Sequence, residues 1–232
     1  MSQEIITLDL GGMNSYLIKE NSNFMLVDTG GPIMLDKTYQ NRRDLLMKNL
    51  ELHGCSKHTL KLIVLTHGDC DHCANAAYLA SEYQVPIALH KDDVAMVEHL
   101  TLDIYLKSCK YRSTAMKLFS KILHKLIVKA GKSVVDKFES FTPDIQLSDH
   151  DSLLPYGFHA EVLHLPGHTK GSIGIYTQSH DLICGDVYTN NKKPAVAPNA
   201  WNFQQLDESI QTLKTLQIRH YYPGHGSMFS LS

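Results

Sequence analysis

Four times along this chain an apolar, strand-like run ends in a glycine-bearing turn that carries histidine or aspartate. Leu62-Ile63-Val64-Leu65 runs into Thr66-His67-Gly68-Asp69-Cys70-Asp71-His72, and Leu163-His164-Leu165 into Pro166-Gly167-His168-Thr169. Leu182-Ile183-Cys184 runs into Gly185-Asp186, and Tyr222-Pro223 into Gly224-His225-Gly226. An uninterrupted apolar run of this length reads as a strand buried on both faces. Glycine permits the tight turn that stops it. A polar residue at such a strand end is presented from a rigid scaffold, the usual place for binding residues. In the first segment alone, four histidine and aspartate residues fall within six positions. That density is hard to reconcile with surface or core histidines. Imidazole and carboxylate donors together suit zinc, iron or manganese.

Other segments are consistent with a mixed fold. Met13 to Lys19 and Phe24 to Val27 read as strands of a hairpin about Glu20-Asn21-Ser22-Asn23. Asp28-Thr29-Gly30-Gly31-Pro32 then breaks the strand and reads as a turn supporting the neighbouring loops. Met34 to Leu52 has helical spacing, Ala74 to Tyr83 and Leu206 to Leu216 read as helices, and Val85 to Leu89 as a strand. Ala160 to Leu165, Ser172 to Tyr176 and Asp181 to Cys184 read as further strands. Between 92 and 137 the character changes. Met116, Phe119, Leu123, Leu126 and Ile127 recur at helical spacing, beside a ladder of Lys117, Lys121, Lys125 and Lys129. This reads as a helix with a solvated basic face; the sharper alternative is an inserted lid that attracts an anionic or amphipathic ligand.

The four segments, in this order, resemble the metallo-β-lactamase superfamily over nearly the whole chain. The family pattern is H-x-H-x-D-H, then a His, a bridging Asp and a final His. The resemblance implies an α+β class, four-layer αββα sandwich; the chain reads as one domain, 1–232, with a helical, lid-like insertion at about 92–140. It implies two divalent metal ions, zinc first, with iron or manganese as alternatives. His67, Asp69 and His168 would hold one, Asp71, His72 and His225 the other, and Asp186 would bridge them. It also implies a metal-dependent hydrolase in which metal-activated water attacks an ester, thioester, lactone or related bond. Asp71 would orient the nucleophile and shuttle a proton. Tyr188, two residues after Asp186, is a candidate to hydrogen-bond the substrate, against a reading as a packed aromatic.

Asp69 departs from the pattern, since the family carries His there. Two divalent ions, a bridging hydroxide, Asp71 and Asp186 leave one positive charge; Asp69 cancels it. A less electrophilic site with a harder metal preference is expected. A carboxylate at this position also resembles the flavodiiron proteins, which opens a di-iron redox or oxygen-reactive alternative, although this chain has no room for their flavin domain. Nor does it show the C-terminal helical domain of glyoxalase II.

Composition narrows the function classes. The chain of 232 residues carries a net charge of −2, yet nine Lys/Arg against one acid between 107 and 137 give that segment +8 and leave −10 elsewhere. An acidic remainder repels polyanions, so no nucleic-acid partner is expected. A small-molecule substrate is expected, with membrane-surface contact through the 107–137 segment and a homodimer as further options. Five cysteines in irregular spacing suggest no disulfide framework, and Met1-Ser2-Gln3-Glu4 lacks the features of a signal peptide, so a reducing cytoplasm is expected. Cys70-Asp71-His72-Cys73 is formally a C-x-x-C, but two other ligand types inside it argue against a redox motif. His90 reads as making a local hydrogen bond rather than lining a cleft, His164 as structural, and Cys184 as a small buried residue.

Overall fold

The two faces of each central strand settle the architecture. Along Asn23–Val27, Leu26 packs to one side while Met25 and Val27 pack to the other; along Leu60–Val64, Ile63 opposes Leu62 and Val64. Successive side chains of a strand point to opposite faces, so strands apolar on both must be covered on both. The computed structural model, which describes residues 3–33, 36, 38–107 and 110–231, shows what covers them. A six-stranded sheet has the order Gln3–Asp9, Asn14–Glu20, Asn23–Val27, Leu60–Val64, Ile87–His90, Ile145–Leu147. Its first three strands are antiparallel and the rest parallel. A four-stranded sheet has the order His220–Pro223, Asp181–Gly185, Ile173–Thr177, Ala160–His164. A short pair, Tyr188–Thr189 and Ala195–Val196, stands apart.

Three buried clusters define four layers. Tyr16, Ile18, Met25, Leu62, Val64 and Ala88 of the first sheet meet Val162, Ile173, Ile175 and Ile183 of the second. Outside the first sheet, Leu46 and Leu50 of helix Arg43–Leu52 and Leu79 of helix Ala76–Tyr83 cover Leu26, Ile63 and Leu65. Outside the second, Leu206, Ile210 and Leu213 of helix Phe203–Leu213 cover Leu163, Leu182 and Tyr221. Helix, sheet, sheet, helix is the αββα sandwich expected from the sequence.

Two expectations change. The helix foreseen over Met34–Leu52 begins at Arg43; Met34 and Leu35 lie outside the described residues, and 38–42 are not helical. Arg42 sits at φ 60, and its guanidinium donates to the carbonyls of Leu10, Gly31 and Gln40 and pairs with Asp36 at 2.7 Å. A left-handed residue fixed this way halts the helix. The basic segment is likewise not one helix. Between the strands Ile87–His90 and Ile145–Leu147 the chain forms helices Val94–Glu98, Leu102–Lys107, Thr114–Ile122 and His124–Val135. The last two meet at Leu123, whose carbonyl accepts from both Leu126 N and Ile127 N; the lysine ladder is divided between them. No described helix is long and apolar enough to cross a membrane.

Candidate metal centre

All four ligand-bearing loops leave the C-terminal ends of strands. Leu60–Val64 leads to His67 through His72, Ala160–His164 to His168, Asp181–Gly185 to Asp186, and His220–Pro223 to His225. Main-chain bonds draw these ends together: Ile173 N donates to Thr66 O, Gly224 N to Gly185 O, and Asn14 N to Gly224 O. Gly224 approaches so closely that a Cβ there would lie 2.4 Å from both Asp186 Oδ1 and His72 Cε1. A side chain at 224 would occupy the space the ligands converge on.

The structure brings together all seven residues singled out in the sequence. His168 Nε2 lies 3.1 Å from Asp69 Oδ2, and His67 Nε2 lies 3.9 Å from the same atom. His225 Nε2 is 3.4 Å from Asp71 Oδ2. Asp186 faces both groups, with Oδ1 3.5 Å from His72 Nε2 and Oδ2 3.3 Å and 3.7 Å from His225 and His168. Donors held about 2.0–2.2 Å from a tetrahedral ion lie about 3.3–3.6 Å apart, close to these separations. Among the described residues, His67 Nε2, His72 Nε2 and Asp186 Oδ1 are buried and have no hydrogen-bond partner. Buried polar atoms are otherwise almost always satisfied, so three orphans aimed at one point fit a bound cation.

Each imidazole is fixed through its other nitrogen. His72 Nδ1–H donates to Asp28 Oδ2 at 2.8 Å, His168 Nδ1–H to the Asn199 carbonyl at 3.1 Å, and His225 Nδ1–H to the Gly12 carbonyl at 2.6 Å. His67 Nδ1–H donates to Thr66 Oγ1 at 2.9 Å, and that hydroxyl in turn donates to Asp28 Oδ2 at 2.8 Å. These bonds set the tautomer that leaves Nε2 free as a donor to metal. Electrostatics agree. Burial lowers the basicity of His72 and His168, but Asp186 with Asp28 or Asp69 outweighs it and pushes each up to about 9. His67, buried beside His72 and His168, is held well below the ordinary imidazole value. Burial raises Asp186, yet His225 and His72 outweigh it and hold it well below the carboxylate range. The centre attracts positive charge.

Two carboxylates that sequence reasoning missed hold the loops. Asp28, foreseen only as part of a supporting turn, is buried at φ 60. Besides the His72 and Thr66 side chains it accepts from Thr66 N at 2.7 Å. Asp93, fully buried, accepts from Gly68 N at 3.0 Å, Thr169 Oγ1 at 2.6 Å and Gly171 N at 2.7 Å. It thereby ties the His67 loop to the His168 loop. Its only sequence signal is an Asp pair just after a strand.

Tyr188 does not reach the site. Its ring packs against Tyr221 and Phe229 at 5.5 Å and 5.8 Å in the cluster behind the second sheet, and burial pushes its hydroxyl up to about 12. A packed aromatic is the correct reading; the alternation that aims Thr189 at the cleft aims Tyr188 away. His90 is stacked on His164 at 4.0 Å and accepts from Asp92 N, while His164 Nε2 donates to Lys170 O. Burial, with Asp69 and Asp71 adding to it, pushes the Cys70 thiol well up, which suits an inert thiol rather than a redox motif.

Above the ligands lies a cleft of about 570 Å³, walled by Ile33, Tyr105, Tyr111, Met116 and Phe119, with Asp69, Asp71, His168, Asp186 and His225 at its floor.

Comparison with known proteins agrees. The Metallo-beta-lactamase superfamily model matches residues 8–225. Hydroxyacylglutathione hydrolase GloC of Haemophilus influenzae is 26% identical over 98% of this chain and 92% of its own length. The probable metallo-hydrolase MJ0888 of Methanocaldococcus jannaschii is 28% identical over 93% and 88%. Among solved structures, the metallo-beta-lactamase family protein TTHA1429 of Thermus thermophilus superposes with TM-score 0.70 at 19% identity, over 98% of this chain and 74% of its own. TTHA1623 in a di-iron-bound form gives 0.63 at 22%, over 98% and 94%. With a matching family sequence over most of its length, the sandwich and the converging histidines and aspartates, this chain belongs to the metallo-beta-lactamase superfamily.

Proposed function

We propose that this chain is a dinuclear metal-dependent hydrolase of an ester, thioester, lactone or related bond in a small molecule. The observation that carries the reading is the trio of orphaned buried atoms on His67, His72 and Asp186, of which Asp186 lines an open cleft. His67, Asp69 and His168 would hold one ion and Asp71, His72 and His225 the other, with Asp186 facing both. Two divalent ions held there, zinc first, would supply a nucleophile from water at neutral pH and polarise the scissile carbonyl. The chain does the rest. Asp71 lines the cleft with a carboxylate held low by His72 and His225 against the effect of burial, placed to orient water and carry a proton to the leaving group. Ile33, Met116 and Phe119 give the cleft an apolar wall against which the non-reacting part of a substrate can pack. Relatedness to a hydroxyacylglutathione hydrolase supports a thioester within this class. The described cysteines Cys55, Cys70, Cys73 and Cys184 are free thiols, which supports a reducing compartment.

The test is a panel of esters, thioesters, lactones, β-lactams and phosphodiesters on protein of measured metal content. Turnover of an acyl substrate by the wild type, lost in Asp71→Ala even when that variant is loaded with added metal, is the expected result; no turnover of any substrate by the loaded protein sinks the reading. A second reading, a di-iron redox protein, is favoured by Asp69, a carboxylate 3.1 Å from His168 Nε2 where the family carries an imidazole. Iron in protein from its native host, with a visible spectrum that responds to oxygen, would select it.

A further inference from the structure

The amphipathic helix Thr114–Ile122 buries none of its residues. Phe119 on it is 59% exposed, and Leu126 on the following helix 63%. Leaving large apolar side chains uncovered runs against the hydrophobic effect unless something else covers them. Beneath these helices runs a second cavity of about 630 Å³, walled by Leu123, Leu126, Ile127 and Val134 on one side and by Pro32, Ile33 and Tyr39 on the other. Pro32, Ile33, Tyr111 and Phe119 line both this cavity and the metal cleft. The two therefore adjoin, a ligand-bearing cleft beside a mainly apolar trough whose wall also carries Asp36, Lys129 and Lys137.

The helices that wall the trough are held at their flanks. Arg112, just before the helix, pairs with Asp207 at 2.7 Å and stacks over Phe203, and Arg112 N donates to Pro198 O. At the other end Lys137 sits over the Tyr39 ring at 4.4 Å. Gly131 of helix His124–Val135 lies against Tyr105, where a Cβ would come within 2.8 Å. The helices are thus fixed at both ends while Met116, Phe119 and Leu126 stay exposed.

Resting on the hydrolase reading, we propose that the substrate carries an unbranched aliphatic acyl arm, which runs from the metal cleft past Phe119 into the trough walled by Leu123, Leu126 and Ile127. A second protein would cover the outside of the helices; an occupant that must also enter the cleft has to be narrow, apolar and joined to the reacting group. An aliphatic chain has that shape.

The probe is the series of fatty acids from butanoate to decanoate, which are the carboxylate products such a reaction releases. Binding to metal-loaded protein is measured by calorimetry. A fully buried methylene is worth about fourfold in affinity, and in an open trough about twofold, so six methylenes should tighten binding roughly 60-fold. Phe119→Asp and Leu126→Asp replace exposed side chains, so both should fold, and each should flatten the slope with chain length. Affinity independent of chain length, or a slope that neither variant changes, overturns the proposal. So does a homodimer that Leu126→Asp dissociates together with the chain-length effect, since a second copy would then be the occupant. Because the slope is read from binding, a protein that hydrolyses nothing can still show it, and a hydrolase of short esters can lack it; the two readings fail separately.

Discussion

Asp28→Asn is the most discriminating single change in this protein. The substitution keeps shape, and Asn tolerates the left-handed conformation that Asp28 adopts at φ 60, so the backbone has no reason to move. What changes is acceptor count. Asp28 Oδ2 receives both His72 Nδ1–H and the Thr66 hydroxyl at 2.8 Å, and Oδ1 receives Thr66 N at 2.7 Å. An amide offers one oxygen. If that oxygen faces His72 and the Thr66 hydroxyl, the NH2 confronts the Thr66 N–H. If it faces Thr66 N, the NH2 confronts His72, and the imidazole must move its proton to Nε2, the atom aimed at the centre. Either way a buried donor is orphaned, at about 1–3 kcal/mol, and the negative charge behind His72 is lost. Removing such an outer partner typically weakens metal binding about 10- to 100-fold, or about 1.4–2.7 kcal/mol. The assay is competition against a chromophoric chelator, with calorimetric melting of the metal-free protein alongside. The expected result is one of two metals weakened by at least tenfold, and a metal-free protein less stable by about 2 kcal/mol. Both metals bound within about threefold of wild type, with an unchanged melting temperature, would refute the orienting role.

Asp93→Asn should destabilise by about 2–3 kcal/mol, because three donors again face one oxygen; a urea midpoint and a metal titration should fall together, and a stability loss with unaltered metal binding would show that the two loops are placed independently. Asp69→His restores an imidazole and adds a unit of positive charge to the centre, so in a mixture of equimolar zinc and iron the zinc share should rise; metal analysis showing no change would remove Asp69 from the account of metal choice. His90, buried and stacked on His164, is held down to about 4 from an ordinary 6.5. Its folded value lies below its unfolded one, so the unfolded chain takes up the proton first and stability falls as pH drops from 6.5 to 4. His90→Phe removes that dependence. The wild-type disadvantage relative to the variant should grow by on the order of 2 kcal/mol over that window, and parallel stability–pH curves would mean that His90 titrates freely.

The central strands were legible because burial on both faces leaves continuous apolar runs, as in Leu62-Ile63-Val64. The ligand-bearing turns were legible because glycine, histidine and aspartate have few other reasons to recur at strand ends. The edge strand Gln3–Asp9, with its mixed exposure, carries no such pattern. The start of helix Arg43–Leu52 is set by Arg42 reaching carbonyls of Leu10 and Gly31, a contact no local periodicity reports. Asp28 and Asp93 look like ordinary turn residues in sequence because the groups they bind come from elsewhere: Asp93 reaches Gly171 across 78 positions. Tyr188 was misread because proximity in sequence to Asp186 says nothing about which face of the chain it takes.

His225 donates to the Gly12 carbonyl across 213 positions, and Asn14 and Tyr16 both reach the Pro223 carbonyl. Such long-range contacts form only after the chain between them has found its place. The full donor set therefore exists only in a molecule whose two sheets have already docked. Unlike a zinc finger, in which a local motif folds around its ion, this chain must be largely complete before it can take up its full metal complement. Metal stoichiometry in a preparation is then a quality measure for the whole fold, and partial occupancy reports misassembled molecules as much as scarce metal.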